Sequence, residues 1–309
     1  MRSKSRSSVR VLFVGAALAV VTMGGCRLFV DLEGLGDGAL GTGGDGSIGN
    51  GDGTTGPDGT STDGGTDGTT TPDVIEEPFP DGGCPSGRGP AMVRVTSGTT
   101  TFCIDTTEVT REQYDAFLKS TPAGGAAECS WKSAASYTPT VDWPYDSTTR
   151  SHPVVGVDWC DAKALCAWAG KRLCGGVGGA ALNNADIALP AKSEWVFACT
   201  NGGTQAFPYG NVYNANTCNG ADLAANRVLA VGSLAGCKGG FAGLSDMSGN
   251  VHEWLNACDV GGDASPPDQG CAISGSAFTH GASDMPCTYV EGIGRASRLD
   301  EIGIRCCSP

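Results

Sequence analysis

Fifteen cysteines and three histidines are the residues of this 309-residue chain best suited to chemistry, and their spacing restricts what they do. Fourteen of the cysteines lie from Cys84 onward, an even set with no Cys-x-x-Cys pair. That pattern gives little support to a zinc ribbon or a thioredoxin-like redox site, and reads as the disulfide framework of an exported protein. Cys306 and Cys307 are adjacent and could form a redox-active pair; vicinal disulfides are strained, and the even count favours structural pairing of both. None of the histidines, His152, His252 and His280, stands in a known Ser-His-Asp pattern, and His252-Glu253 is not part of His-Glu-x-x-His. His280 could hold a metal only as a lone imidazole, a weak site. So few bases leave little for general acid–base chemistry to use.

The elements that must position these residues are unevenly distributed. Arg2, Lys4, Arg6 and Arg10 precede an apolar run over 11–23 that is short for a membrane span, followed by Gly24, Gly25 and Cys26. Met23-Gly24-Gly25-Cys26 resembles a bacterial lipobox, whose cysteine is diacylated and becomes the mature N-terminus. Residues 1–26 are therefore expected to be a lipoprotein signal peptide, with Cys26 the lipidation site and a membrane the first partner, at the periplasmic face or cell surface. An ordinary signal peptide with an incidental cysteine is the alternative. Residues 27–83 form a Gly/Asp/Thr tract with almost no apolar surface to offset the entropy of ordering, hence a disordered linker with a reach of about 35–40 Å. Its Gly-Asp-Gly repeats never settle into the nonapeptide of calcium β-rolls.

Charge follows the same division. The formal total is −13, with twelve acids against the single base Arg27 between Cys26 and Cys84. An acidic chain without a basic cluster excludes nucleic acid as a partner.

All six tryptophans lie within residues 84–309, which are expected to form one α+β domain with short elements and much irregular chain. The sequence predicts a strand at Thr101–Ile104. Thr110-Arg111-Glu112-Gln113 is a capping box opening a helix with Tyr114, Phe117 and Leu118 on one face, and Val109 placed to staple against Tyr114. A second helix is predicted from N-cap Asp158 to Gly170, and a third from about Ala191 to Cys199. Trp159, Trp168 and Trp195 fall on helices and read as core. Trp131 and Trp143, in a Ser/Thr/Pro-rich loop, are candidates for an exposed ligand surface, with packing beneath that loop as the alternative.

Seven ordered blocks then coincide with one family: FCIDTTEVTREQYDAFL (102–118), HPVVGVDWCDAKALCAWAGKRL (152–173), LPAKSEWVFACTNGG (189–203), FPYGN (207–211), GLSDMSGNVHEW (243–254), GSAF (275–278) and IGIRC (302–306). They resemble the sulfatase-modifying-factor family, proteins like the formylglycine-generating enzyme. The resemblance implies the formylglycine-generating-enzyme fold, related to C-type lectin-like folds and poor in regular secondary structure, with bound calcium. It also implies, for the catalytic members, oxidation of a sulfatase cysteine by molecular oxygen at a copper ion held by two closely spaced cysteines.

This chain departs from that pattern where the chemistry would be. Between Gly275 and Cys306 it holds one cysteine, Cys287, which suits a structural cysteine of the family; the copper-ligand positions fall on Ala277 and Ala282. An alanine methyl cannot replace a thiolate, so copper is not expected. By resemblance Cys166 bridges Cys306 and Cys199 bridges Cys287; a pairing of Cys103 with Cys307 would tie the first strand to the last, with Cys218–Cys237 and Cys258–Cys271 as local staples.

For structural Ca²⁺, DMSGNVHEW offers the carbonyls of Ser248, Gly249 and Val251 with the Glu253 carboxylate, and the family's other calcium loop maps to Asn216, the Thr217 carbonyl, Asp222 and the Ala224 carbonyl. Asn/Gly turns satisfied by their own backbone are the alternative at both. Residues 174–188 are inserted relative to the family, and the usual N-cap threonine of the third helix becomes Ala191, a loss of about 1 kcal/mol to be met elsewhere, with the insertion as the candidate support.

The expected function is an exported lipoprotein with a non-copper binding or envelope-associated domain for an unknown peptide, protein or glycan ligand. The alternatives are a formylglycine-generating or other periplasmic oxidase, and a purely structural surface protein.

Overall fold

A computed structural model describes residues 83–120, 122, 127–133, 137–259 and 268–309. The expected signal peptide, Cys26 and nearly all of the linker lie outside them.

The helices start where short polar side chains can satisfy their free N–H groups. The Thr110 hydroxyl accepts from the Gln113 N–H at 3.2 Å and the Gln113 side chain accepts from the Thr110 N–H at 2.9 Å, opening α1 (Arg111–Lys119) as predicted. Asp158 and Asp161 reciprocate in the same way at 2.9 and 3.0 Å to open α2 (Trp159–Trp168), which closes before Gly170 at φ +70°. The third helix, α3 (Glu194–Cys199), begins later than predicted. Its N-cap is Ser193, whose hydroxyl accepts from the Val196 N–H, so Ala191 bears no cap and the expected deficit does not arise. The chain entering the insertion adds support: the Gly175 N–H and both terminal nitrogens of Arg172 bond the buried Glu194 carboxylate.

Eight strands complete the described chain: β1 (Met92–Ser97), β2 (Thr100–Asp105), β3 (Arg172–Leu173), β4 (His252–Cys258), β5 (Gly270–Ser274), β6 (Val290–Gly294), β7 (Ile302–Gly303) and β8 (Cys306–Ser308). They form two four-stranded sheets, ordered β1-β2-β8-β3 and β6-β5-β4-β7. In the second sheet β7 runs parallel to β4, and the other neighbours are antiparallel.

Alternation on β4 and β5 buries these two strands of the second sheet on both faces. Trp254 and Ile273 join one core cluster with Tyr114, Phe117 and Leu165 of α1 and α2. Leu255 and Ala272 join another with Phe102 and Ile104 of β2 and Trp195 of α3. The result is a mixed α+β domain with few and short regular elements.

Seven disulfides tie it together: Cys84–Cys103, Cys129–Cys160, Cys166–Cys306, Cys174–Cys307, Cys199–Cys287, Cys218–Cys237 and Cys258–Cys271. Four pairings match expectation, whereas Cys103–Cys307 does not form. On β2 and β8 it is Ile104 that faces Cys307 and Ser308 that faces Cys103. Successive strand residues point to opposite faces, so Cys103 turns to Cys84 and Cys307 to Cys174. Cys306 and Cys307 likewise leave in opposite directions, to α2 and to the end of β3, and make no vicinal bond.

Candidate functional site

The segment Gly275–Cys287, where the resemblance led copper ligands to be expected, leaves β5 and is pinned at its far end to α3 by Cys199–Cys287. Ala277 within it is fully buried and Ala282 is exposed. Every one of the fourteen cysteines in the described residues is in a disulfide, so no thiol is left there to ligate copper. The described residues do not fit a copper ion held by two thiolates.

The calcium expectation at DMSGNVHEW meets a different arrangement. Glu253, fully buried on β4, has both carboxylate oxygens engaged: Arg305 Nε donates to both at 2.8 and 2.9 Å, and Trp195 Nε1 donates to Oε2 at 2.5 Å. Arg305 is itself buried and spends its other N–H groups on the Asp105 and Ser245 carbonyls at 2.8 and 2.9 Å. A calcium ion at Glu253 would have to displace a guanidinium, and this donor set does not fit one. Gly249, at φ +77°, sits where a Cβ would come within 2.6 Å of the Asn219 carbonyl oxygen. Beside it Asn250 is a hub: its side chain donates to Glu108 at 2.9 Å and to the Leu229 carbonyl, and accepts from Asn219 Nδ2 and the Leu229 N–H. The motif thus joins four distant segments through buried hydrogen bonds.

Three carboxylates share the one guanidinium. Burial and the neighbouring Asp246 push Glu108 well above the usual carboxylate range, and burial raises Asp246 to about 6.

The second calcium set lies in a segment tied by Cys218–Cys237. Asn216, Asp222 and Ala224 are exposed, Thr217 is half-buried, and one Asp222 oxygen accepts from Tyr213 Oη at 2.7 Å. All four donors are hard oxygens of the kind calcium takes.

Trp131 and Trp143 do not present an open surface: both are half-buried against the core cluster of α1 and α2, with Trp143 edge-on to Tyr114 at 6.0 Å. Trp159 and Trp195 are core, as expected. A pocket of about 390 Å³ is lined by Trp159, Leu182, Asn256, Gln269 and Arg295 and by no residue of 275–287.

The histidines hold the largest surprise. His252 and His280, distant in sequence, meet edge to face with ring centroids 4.7 Å apart, and Tyr289 lies 6.2 and 5.9 Å from them. His252 is 1% exposed and neither ring nitrogen makes a hydrogen bond of good geometry, although the Ser274 backbone is close enough to favour the charged ring. Burial and His280 nonetheless lower its pKa to about 3, so the ring is neutral.

Comparison with known proteins follows the same lines. The profile described as sulfatase-modifying factor enzyme 1-like domain matches residues 58–308. The inactive C-alpha-formylglycine-generating enzyme 2 of Bos taurus is 35% identical over 111 residues, 33% of this chain and 32% of that protein. The formylglycine-generating enzyme of Thermomonospora curvata is 29% identical over 215 residues, 57% of this chain and 65% of that one. The alignment with the first of these curated relatives thus spans about a third of the relative's length. The structure of PvdO from Pseudomonas aeruginosa aligns with a TM-score of 0.46 at 22% identity, covering 67% of this chain and 80% of that one. With its profile match running through nearly the whole cysteine-rich region, the chain belongs to the family of sulfatase-modifying factor enzyme 1-like domains.

Proposed function

We propose that this chain is an exported, lipid-tethered member of its family that works without copper, as a disulfide-locked binding or envelope-associated module for a peptide, glycan or protein ligand. The observation that carries the reading is the complete pairing of the described cysteines, with alanines at both copper-ligand positions. A soft copper(I) site needs thiolates, and none is free among the described residues. That a relative in the family is named an inactive enzyme agrees with this use of the scaffold.

Seven disulfides support passage through an oxidising compartment, and Cys26 after Gly24 and Gly25 supplies the tether, with 27–83 as its spacer. The loop of Asn216, Thr217, Asp222 and Ala224 carries a structural calcium ion in this reading; chelation is then expected to lower the unfolding temperature, and an unchanged temperature would remove the ion from the account.

Purified domain should oxidise no cysteine in a sulfatase-type peptide when supplied with copper(I) and oxygen, and formylglycine product would overturn the non-copper reading. In bacteria fed an alkyne-labelled fatty acid, the full chain should take up label and Cys26→Ser should not. Label retained in the variant would contradict lipidation at Cys26.

A further inference from the structure

We propose that His252, His280 and Glu291 form a three-ligand site for a divalent first-row transition-metal ion of the zinc(II) type. One ligand atom from each side chain lies within 4.8 Å of the others. The sheet register explains two of the three. His252 and Trp254 alternate on the same face of β4, Trp254 pairs with Ile273 on β5, and Ile273 pairs with Glu291 on β6. His252 and Glu291 therefore project on one face of the sheet. His280 is brought to them by its loop, which is fixed by the His280 N–H donating to the Ala277 carbonyl and the His280 carbonyl accepting from the Ala221 N–H.

Two independent observations point to a ligand. The first is the buried His252 ring, neither of whose nitrogens makes a hydrogen bond of good geometry. Buried polar groups are nearly always satisfied, and a metal ion is the partner that suits an imidazole lone pair. The second is the support around His280. The Thr279 hydroxyl gives its single proton to Glu301, so it accepts from His280 Nδ1, 3.0 Å away. That fixes the tautomer and leaves the Nε2 lone pair free, the carboxylate-backed arrangement that orients metal-binding histidines. Glu291, Glu301 and Asp284 also surround Tyr289 beside the two rings, a negative setting for a cation.

Two imidazoles and a carboxylate suit zinc(II) and its neighbours, not calcium, and differ from a copper(I) thiolate pair. Bonds of about 2.0–2.2 Å place ligand atoms roughly 3–3.5 Å apart, so the exposed Glu291 side chain and the His280 loop must close by on the order of 1 Å. Three protein ligands leave at least one position for water or a small anion.

The test uses protein expressed without a polyhistidine tag and freed of metal by chelation. Zinc(II) titrated by calorimetry should bind at one equivalent, and cobalt(II) should give the intense visible bands of a low-coordinate site that zinc then bleaches. His280→Ala and Glu291→Gln, on the open side of the cluster, should each weaken zinc binding at least tenfold while leaving the metal-free unfolding temperature unchanged. Glu301→Gln should weaken it by about tenfold through Thr279. Equal zinc binding in both ligand variants, no binding up to millimolar zinc, or displacement of cobalt by calcium would each overturn the proposal. None of these outcomes bears on whether the chain lacks copper chemistry.

Discussion

Arg305 shows how much a single buried charge decides in this domain. Its guanidinium bonds Glu253 from β4 and the carbonyls of Asp105 and Ser245, gathering four segments at one point. Lysine cannot reproduce that fork, and a broken buried pair leaves a carboxylate unpaired. Arg305→Lys is expected to lower unfolding free energy by about 3 kcal/mol, measured by chemical denaturation; a loss near zero would mean the pair is not formed.

Glu108 gives the opposite case. Burial and Asp246 raise its pKa, so the folded chain keeps a proton that the unfolded chain releases near pH 4. Below that pH both states are protonated and nothing is lost. As pH rises, the unfolded state gains ionisation that the folded state is denied, and stability falls. Glu108→Gln, which keeps the acceptor for Asn250, should therefore stabilise the chain at pH 8 and be neutral at pH 4.5. Destabilisation at pH 8 would show that the carboxylate is ionised and needed.

At the scale of elements, starts of helices were legible and lengths less so. Thr110 and Asp158 cap as their spacing predicts, because a short side chain and its N3 partner settle the matter within one turn. The third helix misled because a family position, Ala191, took precedence over Ser193, which has the better chemistry two residues on. Ser193→Ala should cost about 1 kcal/mol, whereas Ala191→Thr should change stability by no more than a few tenths, both read from denaturant midpoints. A gain from Ala191→Thr as large as the loss from Ser193→Ala would return the cap to the earlier position. The His252–His280 pairing was out of reach of the sequence, since it depends on the register of β4 against β5 and on where the Gly275–Cys287 segment turns. So was the engagement of Glu253, whose partner Arg305 lies at the other end of the domain.

For the molecule as a whole, three long-range disulfides do most of the closing. Cys166–Cys306, Cys174–Cys307 and Cys199–Cys287 span 140, 133 and 88 residues and fix the C-terminal segment to α2, to the end of β3 and to α3. The parity of the cysteines foretold their use, but not that Cys103 would turn to Cys84, which strand alternation decides. Replacing Cys199 and Cys287 together by serine should cost about 2–5 kcal/mol, since the loop they close no longer restrains the unfolded chain.

Copper-free function requires above all that this scaffold hold no free thiol. The direct measurement is to alkylate the oxidised, unreduced domain under denaturing conditions and weigh it intact, with and without prior copper(I). The structure predicts no alkylated cysteine and no copper adduct in the domain from Cys84 onward. Two alkylated cysteines that copper protects would contradict it, and would restore an oxidase reading of the site.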